Sequence, residues 1–453
     1  MKKNIFTFIT SLCTLSAFSQ DSLLKTFKFR NSNFRAISLN VGAGSQFDRQ
    51  ELGSGTQKNS IAAGGFTVSY YMAKSTDKIL LLANAGLGAN FSASKSTDPI
   101  YIDKSRSYSV QPQVTILNKW FKKERFLELG ATSLASSAGT KLSTTNQLPS
   151  KNQQDFFSVT LNTGIGIGRL ENITDMQNAL WLNKALQKVN SLTHALSSTE
   201  LNELGRAITT ANNTRILDDR KRVQFILATV DNYFQRKGLI TKNDITYFSN
   251  LNDILFFAFN TPRLSGTEKF IRFSPTITGY SSDLAQNNIT DRYKAKIYNK
   301  GALLSIGINK YAPYNLTHQN NYGVSINLNY VSLNSTQKYF TSGNLTNQTL
   351  LTPDVRQAYL KLFYEHAIYP NTRTIISFNL QSQGGYQDVN KQNSFFESVA
   401  AFASANYFIS YRTRFTCGAG VYYSNNVTET SQYLYAVPDS IQLYANAGFT
   451  INI

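Results

Sequence analysis

The sequence predicts an all-β transmembrane barrel of about fourteen antiparallel strands carrying one α-helical insert. Three observations predict it. Apolar and polar residues alternate strictly in segments of roughly ten, the length of a tilted strand crossing a bilayer. The connections between these segments alternate between short and long. One stretch in the middle changes to the 3.6-residue period of helices.

The chain opens with a basic Met1-Lys2-Lys3, an apolar run from Ile5 to Leu15 and a small-x-small site at Ala17-Phe18-Ser19. That order is the pattern of a secretory signal peptide over residues 1–19, with the mature chain starting near Gln20. Cleavage at that point leaves Cys417 as the one cysteine, so no disulfide within the chain is expected. Beyond this segment no run of about 18 apolar residues occurs, so no helix is expected to span a membrane. Aromatics reach 13% and the mean hydropathy is -0.26, as expected where the membrane signal alternates along strands and averages away. The formal net charge of +18 is spread along the chain; on an exported protein it points to anionic headgroups or polysaccharide rather than to nucleic acid.

Strands 1–6 are placed within 34–168, at 34–45, 61–73, 79–92, 107–118, 126–138 and 156–168. Strands 7–14 fall within 266–453, at 269–281, 301–310, 322–330, 357–368, 373–382, 395–411, 413–424 and 442–453. In the ninth, Val324, Ile326, Leu328 and Tyr330 alternate with Gly323, Ser325, Asn327 and Asn329. An even count puts both termini on one side, and with the N-terminus periplasmic the periplasmic turns are the short ones, such as Ala73 to Lys78 and Lys119 to Arg125. The opposite connections, such as Gln46 to Ser60 and Gly139 to Asp155, are expected to be long polar loops. Tyr70, Tyr71, Trp120, Phe121, Phe126, Tyr364, Tyr369, Tyr411 and Phe415 are placed at the membrane boundary.

Alternation stops over 169–265. Thr174-x-x-Gln177 and Ser197-x-x-Glu200 read as capping boxes, with Thr241 and Asp244 a weaker version. Ala179, Leu182, Leu186 and Val189 share one helical face, Leu201, Leu204 and Ile208 a second, and Val223, Leu227, Val230 and Phe234 a third, which Gly238 ends. By strand parity this insert is periplasmic, and the apolar Leu251 to Phe259 stretch packs on the other helices, the barrel rim or the membrane surface.

No catalytic, cofactor or metal motif emerges, and the reading is of a non-enzyme. His194, His318 and His366 lie far apart in sequence, and no G-x-S-x-G elbow is present. Gly164, Gly166 and Gly168 lack nucleotide-loop spacing and alternate with Ile165 and Ile167 as the inward face of strand six. The inward residues are otherwise small and polar, except for Glu128, Arg272, Lys361, Glu365 and Arg414. As pore-lining residues these form either a structural ion-pair lattice, which is the favoured reading and one that docks the insert as a plug, or a selectivity filter. In the insert, Arg215, Arg220, Lys221 and Arg222 surround Asp218 and Asp219. They are a solvated helix face or a site for a periplasmic protein or an anionic envelope polymer.

The alternating strands with long outer loops resemble those of outer-membrane β-barrel proteins of Gram-negative bacteria, over Phe34 to Ile453 apart from the insert. The strand count is similar to that of the fatty-acid-transporter type, which implies uptake of hydrophobic solutes. That type carries a long N-terminal hatch which this chain lacks, and the chain ends in Ile453 where such barrels usually end in an aromatic. The stretch from Glu171 to Gly238 resembles a module of uncharacterised barrels of this kind. Two functions are expected from the whole: a channel or passive transporter of small solutes whose insert gates the periplasmic mouth, or a non-conducting envelope scaffold whose insert binds a partner.

Overall fold

The computed structural model describes residues 22–52, 55–97, 102–144, 150–214, 216, 218–257, 262–286, 291–389, 392–409, 413–429 and 434–451. The signal-peptide segment, Arg215, Tyr411 and Arg412 lie outside the described residues. The fold is all-β with a helical insert: a short helix α1 (Ser22–Thr26), six strands, four helices, then nine strands. The first strands are β1 (Ser32–Leu52), β2 (Gly55–Ser75), β3 (Ile79–Thr97), β4 (Ile102–Lys122), β5 (Arg125–Thr144) and β6 (Ser150–Asn172). After the insert come β7 (Leu264–Gln286), β8 (Asp291–Pro313), β9 (His318–Thr341), β10 (Asn344–Leu351), β11 (Asp354–Asn371), β12 (Thr374–Val389), β13 (Gln392–Phe408), β14 (Thr413–Glu429) and β15 (Leu434–Ile451).

Each of the fourteen expected strands is found, and all pair antiparallel with their sequence neighbours in the order β1 to β9, then β11 to β15. The fifteenth, β10, was not expected; it folds back on β9 through a turn at Ser342 and Gly343, both at positive φ. Among the described residues β1 and β15 are not hydrogen-bonded to each other, so the wall keeps two edges.

The strands are far longer than expected, 23 residues in β7 and β8 and 24 in β9. A 23-residue strand is about 75 Å long, well over what a bilayer requires. The segments expected as long outer loops are therefore corrected to hairpin extensions of the strands. Their Ser, Thr, Asn and Tyr residues keep pairing across the hairpin, as in Gln46↔Ile61 and Gly139↔Gln153. Outside the membrane they need no apolar face to do so.

One face of the wall is apolar and open. Ile165 and Ile167 are 58% and 51% exposed, and Ile326 and Leu328 on β9 match them. On β6 the outward run from Ile167 to Phe157 covers about 10 residues, close to 25 Å at a tilt of ~40°, the height of a barrel's apolar band. The other face carries the polar residues of the alternation.

The helices are α2 (Thr174–Lys188), α3 (Ser198–Asn213), α4 (Asp219–Arg236) and α5 (Ile245–Phe257). Their expected apolar faces meet in one core containing Leu182, Leu186, Leu204, Ile208, Val230 and Phe234, all fully buried. Each such side chain contributes on the order of 1.5–3 kcal/mol, so these helices hold together through their own core. The Ser197-x-x-Glu200 box forms in full at α3, and Asp244 caps α5 by accepting from Tyr247 N at 3.0 Å. The Thr174 box does not form: the N-cap of α2 is Ile173, and Asn172 Oδ1 accepts from Thr174 N instead. Gly238 follows α4 at φ 64, the left-handed stop expected of it. Leu251, Ile254, Leu255 and Phe256 of α5 enter the common core, so the described part of the Leu251 to Phe259 stretch packs on the other helices.

Candidate functional site

The inner wall across β3 to β7 holds the densest chemistry in the chain. Glu128 on β5, Gly164 on β6 and Arg272 on β7 stand directly opposite one another in register. Gly164 has no side chain, and a Cβ there would lie 3.0 Å from Arg272 Cγ and 2.8 Å from Ile271 O. The gap lets Arg272 reach across a whole strand to Glu128, with its Nε 2.9 Å from Oε1. Lys119 on β4 lies 3.3 Å from Glu128 and donates to Glu268 at 2.6 Å. Arg272 closes the ring with a 2.6 Å bond to Glu268. Lys119, Glu128 and Glu268 are 3–5% exposed.

An aromatic layer lies beside this ring. Phe121, Phe126 and Phe270 form a buried cluster with Leu80 against it, and the Arg272 guanidinium sits 3.9 Å over the Phe270 ring. Gly166 makes this possible, since a Cβ there would fall 2.3 Å from both Phe126 Cζ and Lys269 O. Phe121 and Phe126 were expected at the lipid boundary; the register turns them inward instead, against the glycine seam of β6. Gly168 sits at φ 93, which breaks the alternation. Arg169, next in line, bonds Ser75 Oγ at 2.6 Å and Thr76 O at 2.8 Å and covers the Phe121 ring.

The other inward charges are brought into the same face but not into this ring. Lys361 is exposed, opposite Ser325 and Gln383. Glu365 accepts from Asn321 at 2.7 Å. Arg414 lies opposite Phe408, its Nε buried without a hydrogen-bond acceptor among the described residues. The expected lattice therefore takes in Glu128 and Arg272 and leaves out Lys361, Glu365 and Arg414, because no opposite charge falls opposite those three in register.

The insert is fastened at the end where these charges lie, by residues the sequence reading did not single out. Arg263 is 1% exposed and donates to Gln319 Oε1, Leu316 O, Asn315 O and His318 O at the β8–β9 turn. Tyr369, expected at the membrane boundary, is buried beneath its guanidinium at 4.7 Å. Asp253 of α5 accepts from Arg373 at the β11–β12 turn. Glu171 binds Arg30 at 2.6 Å, and Arg30 reaches Asp77 in the β2–β3 turn. Asn33 N at the start of β1 donates to Asn213 at the end of α3. Leu24 and Phe27 around α1 bury against Ile173 and Met176. These anchors lie on turns spread from β1 to β12, so the helices lie across that end of the wall. The register puts Ser32 and Ile451 at the same end.

Within the insert, Asp175 accepts from Thr209 Oγ1 at 2.6 Å and Asn212 Nδ2 at 3.1 Å, and burial pushes its carboxyl up to about 6. Burial, with Asp231 beside it, also raises the Tyr247 hydroxyl. Arg220 and Lys221 are exposed at the start of α4, and Asp218 caps that helix through Lys221 N at 3.2 Å; Arg222 is partly covered. His194 pairs with Glu200 within the insert. His318 and His366, far apart in sequence, are neighbours on the outward face, Nδ1 to Nε2 at 3.4 Å. Among the described residues no group of three or more His, Cys, Asp or Glu is placed to hold a metal.

No family model and no curated protein sequence matches the chain. Among solved structures, the translocator domain of the autotransporter NalP from Neisseria meningitidis is similar at 8% identity and a TM-score of 0.27, covering 84% of this chain and 90% of that one. The β domain of the Bordetella autotransporter BrkA is similar at 8% identity and 0.25, over 93% and 100%. The Ralstonia pickettii toluene transporter TbuX is similar at 10% identity and 0.30, over 94% and 90%.

Proposed function

We propose that this chain is an outer-membrane β-barrel of a Gram-negative bacterium, a channel or passive transporter of small solutes whose helical insert covers the periplasmic mouth. The membrane reading rests on the outward apolar band and on the cations that bracket it. On β5, Arg125 and Lys141 both take the outward register. They are about 16 residues apart, roughly 40 Å along the membrane normal at a tilt of ~40°, which is the distance between the two headgroup layers of a bilayer. The signal-peptide pattern of residues 1–19 supplies the route of export.

The single observation that carries the gating function is the docking of the insert on the start of β1 and on the β8–β9 and β11–β12 turns. A cover held at several points on the rim blocks a lumen until those points release. The test is conductance in planar bilayers of the full chain and of a variant in which a two-residue turn replaces 173–263. Steady current from the shortened chain alone is the expected result. No current from either chain, with the shortened chain folded, rejects the channel.

A second reading is favoured by one feature of the insert. Its free surface shows Phe225, Ile245 and Phe248, with Ile245 86% exposed, and Phe225 follows Lys221 one helical turn on. Together with Arg220, Lys221 and Arg222 at the start of α4, these side chains suit a periplasmic protein or an anionic envelope polymer as partner; the sequence adds Arg215, which lies outside the described residues, to the same cluster. In a scaffold of that kind, crosslinking from Phe225 in intact envelopes captures one discrete partner and the conductance stays at zero.

A further inference from the structure

On the outward face at the end away from the insert, cations stand directly opposite cations. Lys95 on β3 faces Lys104 on β4. Arg106 faces Lys141 on β5, which faces Lys151 on β6. All five are exposed, and none makes an ion pair among the described residues. Like charges placed opposite one another on paired strands repel, and here the repulsion runs unbroken across four strands. Arg292 on β8, by contrast, is paired with Asp283.

The same place on the wall is hollow. Ala62 and Ala93 are in register with Arg106, and with Ser60, Lys95 and Lys104 they line a concavity of about 310 Å³. Its floor is made of methyl groups and its rim of amines and a guanidinium. On the membrane side, large rings lie across outward glycines: Phe91 over Gly64 at 3.0 Å from where a Cβ would stand, and Tyr108 over Gly139 at 2.4 Å. Moving out along the strands, a ligand meets apolar band, aromatic rings, small-residue hollow, then cations. That order suits an amphiphile with acyl chains in the membrane and phosphate at the boundary.

The geometry points to a binding site for a phosphorylated glycolipid of the outer leaflet, its phosphates held by Lys95, Lys104 and Arg106 and extended by Lys141 and Lys151. This rests on the orientation proposed above, with the insert periplasmic. Arg and Lys hold phosphate through charge-assisted hydrogen bonds, and cations at a headgroup layer are each drawn to anionic lipid. Within the row, Asp283 on β7 draws only on Lys151 at the far edge, and a lipid phosphate also relieves the cross-strand repulsion among Lys95, Lys104, Arg106 and Lys141.

The test uses the full chain purified in mild detergent from an outer membrane that contains lipopolysaccharide, with bound lipid A measured by mass spectrometry. The triple variant Lys95→Ala, Lys104→Ala, Arg106→Ala is expected to retain at least fivefold less. The charge-keeping variant Lys95→Arg, Lys104→Arg, Arg106→Lys is expected to retain the wild-type amount. Heat-modifiable gel mobility confirms that each is folded. Equal retention by a folded triple-alanine variant overturns the site, as does equal displacement of the lipid by phosphatidylglycerol.

Orientation is tested separately in a Cys417→Ser background by a Thr346→Cys label site on β10, with an impermeant maleimide on intact cells. Labelling before permeabilisation supports the outer leaflet as the source. Labelling only afterwards overturns the orientation, and with it the outer-leaflet assignment, even where retention still depends on the three cations.

Discussion

The two halves of the inner wall carry similar charged residues and treat them in opposite ways. On β4 to β7, Lys119, Glu128, Glu268 and Arg272 form a closed ring in which all but Arg272 are buried. On β11 to β14, Lys361 is exposed, Glu365 meets an amide and Arg414 has an unmatched Nε. What separates the halves is the strand in between. On β6 a glycine at the register position lets side chains two strands apart meet, whereas β9 and β12 place Ser325 and Gln383 beside Lys361. An ion-pair network in a sheet thus depends as much on the absent side chain as on the charged ones.

Filling the seam breaks this contrast most sharply. Gly164→Val pushes Arg272 away and leaves the buried Glu128 and Glu268 with Lys119 alone, and separating partners of a buried carboxylate costs about 3–5 kcal/mol. Urea unfolding in micelles is expected to show a loss in that range, and an unchanged midpoint would falsify the bridging role of the glycine. Glu128→Gln keeps the space but leaves Lys119 and Arg272 sharing Glu268 alone, with an expected cost of about 3 kcal/mol. Lys361→Gln, the same kind of change on the open half, is expected to stay within about 0.5 kcal/mol. If the two substitutions cost the same, the halves do not differ.

A smaller effect separates the wall from its cover. Asp175 holds its proton more tightly in the folded insert, at about 6 against an ordinary 3.8. The stability this adds is therefore full below pH 3.8 and is lost as the pH rises through about 6. Protection of the α2 and α3 amides relative to their intrinsic exchange rates is expected to be higher at pH 5 than at pH 7, and Asp175→Asn to flatten that difference. A wild-type exchange profile that tracks only the intrinsic pH dependence of exchange removes Asp175 from the account.

Much of the wall is legible in the sequence because its signal repeats: fourteen segments alternate, and the inward register of Gly164, Gly166 and Gly168 follows from Ile165 and Ile167. The helices are legible for the same reason, through faces such as Leu201, Leu204 and Ile208. The ring is only half legible. Glu128 and Arg272 fall inside the expected strands, but Lys119 lies one residue past the expected end of its strand and Glu268 one residue before the start of another. Ending strands where the apolar residues end hides the polar residues that continue them. Arg263 is hidden for another reason: three of its four acceptors are backbone carbonyls 52 to 55 residues away, and carbonyls have no signature in a sequence. His318 and His366 meet only because β9 pairs β11, with β10 turned aside.

The doorway of the insert bears on how the wall is put together. Ile173 N donates to Arg263 O at 2.8 Å, and Arg263 N donates to Thr174 Oγ1 at 2.9 Å, so the chain leaves and re-enters the sheet at one point. Closing so long an unstructured loop costs about 3 kcal/mol more than closing a tight hairpin. Helices that fold first around their own core erase that difference and deliver β6 and β7 side by side. Helices formed ahead of the strands would let β6 and β7 join as though they were one hairpin, and the bonds between Ile173, Thr174 and Arg263 are the contacts that hold the two strand ends together for that step.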